Sequence, residues 1–374
     1  MDDADILVIG AGISGAAAAY ALAPHARVRV IEGEAQAGWH ATGRSAALYE
    51  RHYGNATVRL LSKASHAFLD QPPPGFTEVP LLTRRGGLTV GDRDRREQLE
   101  ALLASAEGSG DIAEIGAEAA LAMVPVLRPE QVTYACYEAG VMDMDVNAIH
   151  QGFLKGMRAR GAVLTLEASV RRIHRDGAAW QVESTAGSWR APILVNAAGA
   201  WADEIARIAG VAPIGLEAKR RTAVILPAPA TGGHRDWPCV GVAGEEAYFK
   251  PEAGMLLVSP GDASVVAPHD VQADELDVAL AVDWLQRHTT LAVPRIERRW
   301  AGLRSFAPDN SPVVGEDRRA AGFHWLAGQG GYGIMMAEAL GRMLAALVLN
   351  EAMPPDLAAL GLQRSAIAPE RFFK

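Results

Sequence analysis

Gly10, Gly12 and Gly15 stand at G-x-G-x-x-G spacing within ILVIGAGISGAAAAYALA, Ile6 to Ala23. An apolar run leads into these glycines and a small-residue helix leaves them, which predicts strand, tight turn and helix. Such a unit suits a pyrophosphate. The first glycine permits the turn, the second admits phosphate to the backbone, and the third lets the helix pack close to the sheet. Ile13 and Ser14 open the helix, whose unpaired N–H groups and positive dipole end face the anion. The next strand, RVRVIE, ends at Glu32 and is followed by Gly33. An acid about 20 positions beyond the first glycine accepts hydrogen bonds from ribose hydroxyls and repels a 2′-phosphate. The motif identifies a dinucleotide, and both NAD and FAD present the AMP half that it holds.

GWHATGRSAALYE, Gly38 to Glu50, narrows the choice. A nicotinamide dehydrogenase continues in regular strand–helix alternation here. This chain instead supplies His40, Ala41, Thr42, Gly43, Arg44, Ser45, Ala46 and Ala47. Small residues permit close approach to an extended ligand, Thr42 and Ser45 can donate to phosphate or ribityl oxygens, and Arg44 adds a positive charge. A tight helix packed through Ala and Ser is the structural alternative.

GWHATGRSAA, together with AKRRTAV and WAGLRSF further on, resembles the FAD-dependent D-amino-acid oxidase/dehydrogenase superfamily, its D-arginine dehydrogenase branch in particular. The resemblance runs in order over essentially the whole chain. It implies non-covalent FAD, with the 38–48 segment beneath the pyrophosphate and flavin ring up to Leu48. Val170 would touch the adenine end, and the Ala198–Gly199 turn and Gly302 would pass near the cofactor. In FHWLAGQGGYGIMMAEALGRMLAALVLNE, Gly328, Gly330, Gly331, Tyr332, Gly333 and Ile334 form a glycine loop entering a helix. Its dipole end would stabilise negative charge on a reduced flavin. Met335 and Met336 read as core, with Met335 also at the cofactor face. WHATG also resembles the WH-A-x-G segment of dimethylglycine-dehydrogenase-like relatives, which would make His40 a covalent flavin attachment point.

The same resemblance points to Arg221 and Arg304 as a carboxylate clamp, a task for which the planar guanidinium fork is suited. Tyr53 and Tyr248 would line the pocket with Leu48, Glu50, His52, Gly87 and Gly331. The implied reaction is oxidative deamination of a D-amino acid, with hydride passing from Cα to flavin N5, then imine hydrolysis to a 2-oxo acid and ammonia. If the amine binds neutral no general base is required, and Tyr53, His52 or water remain open for proton removal. The D-arginine branch has histidine at position 48 and an acid at 87. Leu48 and Gly87 therefore predict a preference for neutral or hydrophobic side chains, with Glu50 a nearby acid. Arg84 and Arg85 read as strand-edge charges.

The elements that position these residues are discontinuous. Residues 55–70 predict a helix stopped by QPPPG, and TEVPLLTRRGGLTV predicts two short strands before a helix from Asp92 to Glu107. Asp145 caps a helix from Val146 to Arg160, ended by Gly161. VRRIHRDGAAWQVEST predicts a hairpin turning at Asp176–Gly177, with a third strand near Trp189; ILVNAAGAWADEIA then returns to an apolar strand and a helix. Residues 219–300 read as antiparallel strands of a second domain, with a helix from Asp274 through Trp284. The predicted fold is α/β: a Rossmann-like parallel sheet with a β-meander crossover, plus a smaller α+β substrate domain with an antiparallel sheet. Residues 1–80, 141–218 and 302–374 form the FAD-binding domain, and 81–140 and 219–301 the substrate domain.

A net charge of −8 argues against a nucleic-acid partner, which calls for clustered Lys and Arg. Cys136 and Cys239 fit no metal or redox spacing, so no metal is expected. The acidic N-terminus lacks a basic signal-peptide region, and no apolar run reaches the ~20 residues of a membrane span, so a cytoplasmic protein is expected. Its partners would be an amino-acid substrate and an electron acceptor, quinone or oxygen. The competing functions are oxidation of a 2-hydroxy acid, oxidation of a secondary amine such as sarcosine or dimethylglycine, RNA modification, and nucleotide binding without catalysis.

Overall fold

A computed structural model describes residues 2–106, 110–227, 229 and 232–373. The apolar runs Ile6–Ile9, Val28–Ile31, Ile193–Asn196 and Phe323–Ala327 are buried almost throughout, as strands covered on both faces must be. With Val163–Thr165 they make a parallel sheet in the order Val163–Thr165, Val28–Ile31, Ile6–Ile9, Ile193–Asn196, Phe323–Ala327. An antiparallel strand, Val313–Glu316, closes the far edge.

Ile13–Leu22 and Gly333–Val348 contribute to the same apolar core as the inner faces of these strands. They approach closely because their facing residues are small: a Cβ on Gly341 would lie 2.8 Å from the Ala17 carbonyl oxygen. Trp180 and Trp189 of the meander share a second core with Leu7, Leu194 and Trp325. The meander strands Val170–Asp176, Ala179–Ser184 and Gly187–Ala191 are antiparallel and connect Val163–Thr165 to Ile193–Asn196. This is the expected crossover.

Asp145 accepts from the Ala148 N–H at 2.8 Å and starts Val146–Ala159; Gly161 follows in the left-handed region, φ 90°. Asp274 caps Glu275–His288 in the same way. The helix expected from Asp92 is a 3-10 turn, Arg93–Arg95, followed by Arg96–Ser105, and its expected last residue, Glu107, lies outside the described residues.

Among the described residues the second sheet has nine strands. In order they are Gln329–Gly330, Arg298–Phe306, Glu217–Leu226, Met255–Ser259, Tyr248–Glu252, Cys239–Val242, Gly87–Gly91, Tyr134–Glu138 and Ile112–Ile115. All neighbours are antiparallel except Cys239–Val242 with Gly87–Gly91. That pair joins two separate excursions of the chain, so no hairpin dictates its direction. A short sheet of Leu48–Tyr49, Met142–Met144 and Leu82–Arg84 ties the excursion to the segment following the second parallel strand. Among the described residues both cysteines are buried and free, no group of residues is arranged to hold a metal, and no helix is long and apolar enough to cross a membrane.

Candidate active site

A cavity of about 740 Å³ runs from the first glycine turn, along residues 38–50, to the mixed sheet. At the turn, Gly10 has φ 101°, and a Cβ on Gly15 would lie 1.8 Å from the Gly10 carbonyl oxygen, so the helix can start here only on glycine. Gly12, Ile13 and Ser14 line the cavity at a helix N-terminus that has no side-chain cap from its own N-cap residue. Glu32 accepts the Ala11 N–H at 2.7 Å through one oxygen and the Glu34 N–H at 3.1 Å through the other. The carboxylate is thereby fixed at the cavity wall beside Gly33.

The predicted cofactor residues Gly10, Gly12, Ile13, Ser14, Glu32, Gly33, His40, Ala41, Thr42, Arg44, Ser45, Ala46, Ala47 and Leu48 all line this cavity. So do Val170, Ala198, Gly199, Gly302, Gly330, Gly331, Gly333, Ile334 and Met335. Three do not reach it. Gly15 lies within the helix and faces the Gly10 carbonyl, Gly43 closes a turn onto the Gly38 carbonyl at 2.7 Å, and Tyr332 packs edge-on against Tyr53 and Phe306.

Two of these lining residues also make contacts within the protein. Thr42 is buried, and its Oγ1 accepts the Ile13 N–H at 3.0 Å, which makes it the cap that Gly12 cannot provide. Arg44 donates to the carbonyls of Val271 at 2.8 Å and Ala301 at 3.2 Å, and pairs with Asp270. Its charge therefore ties the 38–47 loop to the second sheet and is already engaged. His40 is hydrogen-bonded, Nε2 to Glu34 Oε1 at 2.8 Å, with its ring 4.4 Å from that of Trp201. Gln329, in the second glycine loop, lines the cavity with its buried side-chain nitrogen unpartnered, a donor placed where a ligand acceptor would satisfy it.

The substrate end is built on strand pairing. Arg221 lies opposite Gly302, and Lys219 opposite Arg304, in the pair Glu217–Leu226 with Arg298–Phe306. Directly paired residues, and those two along, share a face, so Arg221, Gly302 and Arg304 look the same way, into the cavity. Arg220 projects to the reverse face and meets Asp277 at 2.7 Å, Asp274 at 3.4 Å and Asp262 at 3.8 Å. The run Lys219-Arg220-Arg221 is thus divided by the pleat.

Arg221 Nε donates to the Asp262 carbonyl at 2.8 Å, and its Nη2 lies 3.6 Å from the exposed Glu246. Arg304 Nη2 donates to the Tyr53 hydroxyl at 2.7 Å. A Cβ on Gly331 would fall 2.3 Å from Arg304 Nε, so this arginine can lie across residue 331 only because it is glycine. Tyr248 also lines the cavity. Burial pushes the Tyr53 and Tyr248 phenols above their ordinary range, and Tyr332 up to about 12, so all three are protonated at neutral pH. Tyr53 is then a hydrogen-bond donor, unsuited to removing a proton. His52 faces Asp111 at 3.3 Å.

Leu48, Glu50, His52 and Gly87 line the same end. Arg84 is exposed, and Arg85 pairs with Asp143 and the carbonyls of Arg235 and Trp237, as strand-edge charges do. The expectation of a neutral side-chain pocket rested on the absence of an acid at position 87 itself, with Glu50 close by; Glu138, on the adjacent strand, is the register partner of Gly87 and also lines the cavity. Glu138, Glu246, Glu34, Trp201 and Gln329 escaped the sequence reading. Only strand register brings Glu138 to this place, and no local pattern encodes it.

A family model for FAD-dependent oxidoreductases matches residues 5–347. The chain belongs to that family. Mouse mitochondrial dimethylglycine dehydrogenase is 25% identical over 65% of this chain, which spans only 30% of that protein. An uncharacterized oxidoreductase of Bacillus subtilis, YurR, is 25% identical and matches over 94% of this chain and 96% of its own. In three dimensions glycine oxidase from Geobacillus kaustophilus superimposes with a TM-score of 0.81 at 22% identity, covering 97% of this chain and 99% of that one. The cofactor of the family is FAD, and the lining residues fit it: a glycine-turn helix start opening on the cavity, a fixed carboxylate at the second strand, and an unpartnered donor at the second glycine loop.

Proposed function

We propose that the chain oxidises the Cα–N bond of an amino acid, of D configuration by the resemblance of its motifs, to the imino acid, which hydrolyses to a 2-oxo acid and ammonia. The observation that carries this reading is the pair Arg221 and Arg304 on one face of a sheet, with the Tyr53 hydroxyl 2.7 Å from Arg304. Two guanidinium groups hold the substrate carboxylate, and protonated Tyr53 and Tyr248 donate further hydrogen bonds. Bound FAD supplies the two-electron acceptor. The chain's own contribution is orientation and exclusion of water, so a neutral amine reacts without an obligatory base. In this reading residues 1–80, 141–218 and 302–374 hold the cofactor, while 81–140 and 219–301 complete the substrate pocket. Gly10 to Gly15, Glu32, the 38–48 segment and the 330–335 loop make the cofactor contacts. The protein works in the cytoplasm, passing electrons to a quinone or oxygen.

A second reading is oxidation of a secondary amine. Likeness to dimethylglycine and sarcosine dehydrogenases, and the His40 segment, support it. Anaerobic mixing of the flavin-loaded protein with D- and L-amino acids, sarcosine, dimethylglycine and 2-hydroxy acids separates these. Bleaching of the flavin by D-amino acids alone supports the proposal, and bleaching only by N-methyl amines or hydroxy acids rejects it. Flavin that stays with acid-precipitated protein marks covalent attachment at His40.

A further inference from the structure

Arg221 is held from outside the cavity. Its strand, Glu217–Leu226, pairs with Met255–Ser259 only as far as Val224, opposite Val258. Beyond that point the irregular segment 260–266 takes over the same flank of the strand. The Arg220 N–H donates to the Ser264 carbonyl at 2.9 Å, and the Val266 N–H donates to the Ala218 carbonyl at 2.9 Å. The Thr222 N–H, between these bonds and Val224, is taken by a side chain. Asp262 accepts it through Oδ1 at 2.7 Å, and accepts the Thr222 hydroxyl through Oδ2 at 3.0 Å. The Asp262 carboxylate thus stands in for the carbonyl that a continuing strand would supply.

The same residue reaches Arg221 through a different atom. Its main-chain carbonyl accepts from Arg221 Nε at 2.8 Å. A guanidinium can take a carboxylate on two parallel donors by the edge that includes Nε or by the edge made of its two Nη atoms. With Nε occupied, the Nη edge is the one left for a substrate. Nη2 lies 3.6 Å from the exposed Glu246, too far for a hydrogen bond. Asp262 is not part of the cavity wall, and its side chain is 6% exposed. Gly261 before it turns at φ 78°, where a Cβ would lie 2.6 Å from the Glu246 Cβ. The place of the Asp262 carbonyl is therefore set by the grip on Thr222 at one side and a tight turn at the other.

We propose that Asp262 is the positioning residue of the carboxylate clamp: its side chain fixes the segment on Thr222, and its carbonyl thereby holds Arg221 with the Nη edge turned to the substrate. The inference rests on the amino-acid reading above and adds to it a residue that acts through Arg221 without touching the substrate. Removing the side chain leaves the bonds to Ser264 and Val266 in place, so the segment keeps its course while Arg221 loses its fixed orientation.

Of D-leucine, D-methionine and D-lysine, the one with the highest kcat/KM in the unaltered protein serves as substrate, and its 2-oxo acid as competitive inhibitor. Asp262→Ala should raise KM and the inhibitor Ki together by about tenfold, with kcat changed by no more than about twofold. Asp262→Asn keeps an acceptor for the Thr222 N–H and should bring both constants back to within about threefold of the unaltered protein. Thr222→Val, which removes the hydroxyl contact alone, should raise KM by about threefold; it decides the matter if Asp262→Ala does not yield flavin-loaded protein. Flavin content and Tm accompany each measurement. Unchanged KM and Ki in Asp262→Ala, or in Thr222→Val where that variant decides, overturn the role. So does a fall confined to kcat, or an Asp262→Asn protein as impaired as Asp262→Ala. An unaltered protein whose flavin is bleached by none of the three amino acids overturns the reading beneath, and the role with it.

Discussion

The two ends of the cavity were assembled in different ways. The cofactor end comes largely from one continuous stretch: strand, glycine turn, helix, second strand and the 38–48 segment all fall within the first 48 residues. The substrate end takes single residues from at least five separated segments: Glu50 and Tyr53, Gly87 with Glu138, Arg221, Tyr248, and Arg304 with Gly331. The first is a local solution to binding a pyrophosphate, in which backbone N–H groups carry the recognition. The second depends on strand register, since a shift of one residue would turn Arg221 to the reverse face and bring Arg220 into the cavity. Backbone recognition tolerates side-chain change outside the glycines; register-based recognition concentrates function in a few charged groups.

This contrast can be broken or sharpened by substitution. Arg304→Ala should have the largest effect on turnover. Removing one member of an enclosed charge contact costs ~2–5 kcal/mol, so kcat/KM should fall by about thirtyfold or more, with flavin content retained. Retention of activity would sever the arginine clamp from the reaction. At the other end, Gly12→Val should act on the cofactor. A Cβ there meets only Thr42 Oγ1, at 3.3 Å, so the chain can fold while the added methyl groups occupy the cavity at the phosphate turn. The protein should purify colourless with near-normal circular dichroism, and a yellow preparation would contradict the assignment of that turn.

Tyr53→Phe removes the hydroxyl that accepts from Arg304 at 2.7 Å. A hydrogen bond to a charged group contributes ~1.5–3 kcal/mol, so KM should rise about tenfold or more with less change in kcat. Steady-state kinetics checks it, and a change confined to kcat would point to proton transfer instead.

The smallest effects concern pH. Burial, then Glu246, pushes Glu50 up to about 7; burial, then Glu50 and Asp111, pushes Glu138 up to about 7 against the opposing Arg51. A carboxyl group raised in the folded state is uncharged below that pH. The same shift makes stability decline as pH rises from the ordinary glutamate range to about 7, because the unfolded chain releases the proton more readily. Glu50→Gln should therefore raise the Tm of the ligand-free protein by a few degrees at pH 8 and leave it unchanged at pH 4. Scanning calorimetry at the two pH values decides this.

The amino-acid sequence alone determined the parallel sheet, the glycine turn, the acid at Glu32, the meander with its Asp176–Gly177 turn, and the second glycine loop. Each is encoded by contiguous residues whose hydrophobic period and turn chemistry act over a few positions. Motif resemblance also brought Arg221, Arg304, Tyr53 and Tyr248 forward, and all four line one cavity. Only the tertiary structure decided what their neighbours do. It turned Arg44 toward Asp270 and made Thr42 a helix cap. It joined Cys239–Val242 in parallel to Gly87–Gly91, and set Glu138 where Gly87 has no side chain. These outcomes depend on which strands meet and in what register, a balance of long-range packing that no short run of residues carries.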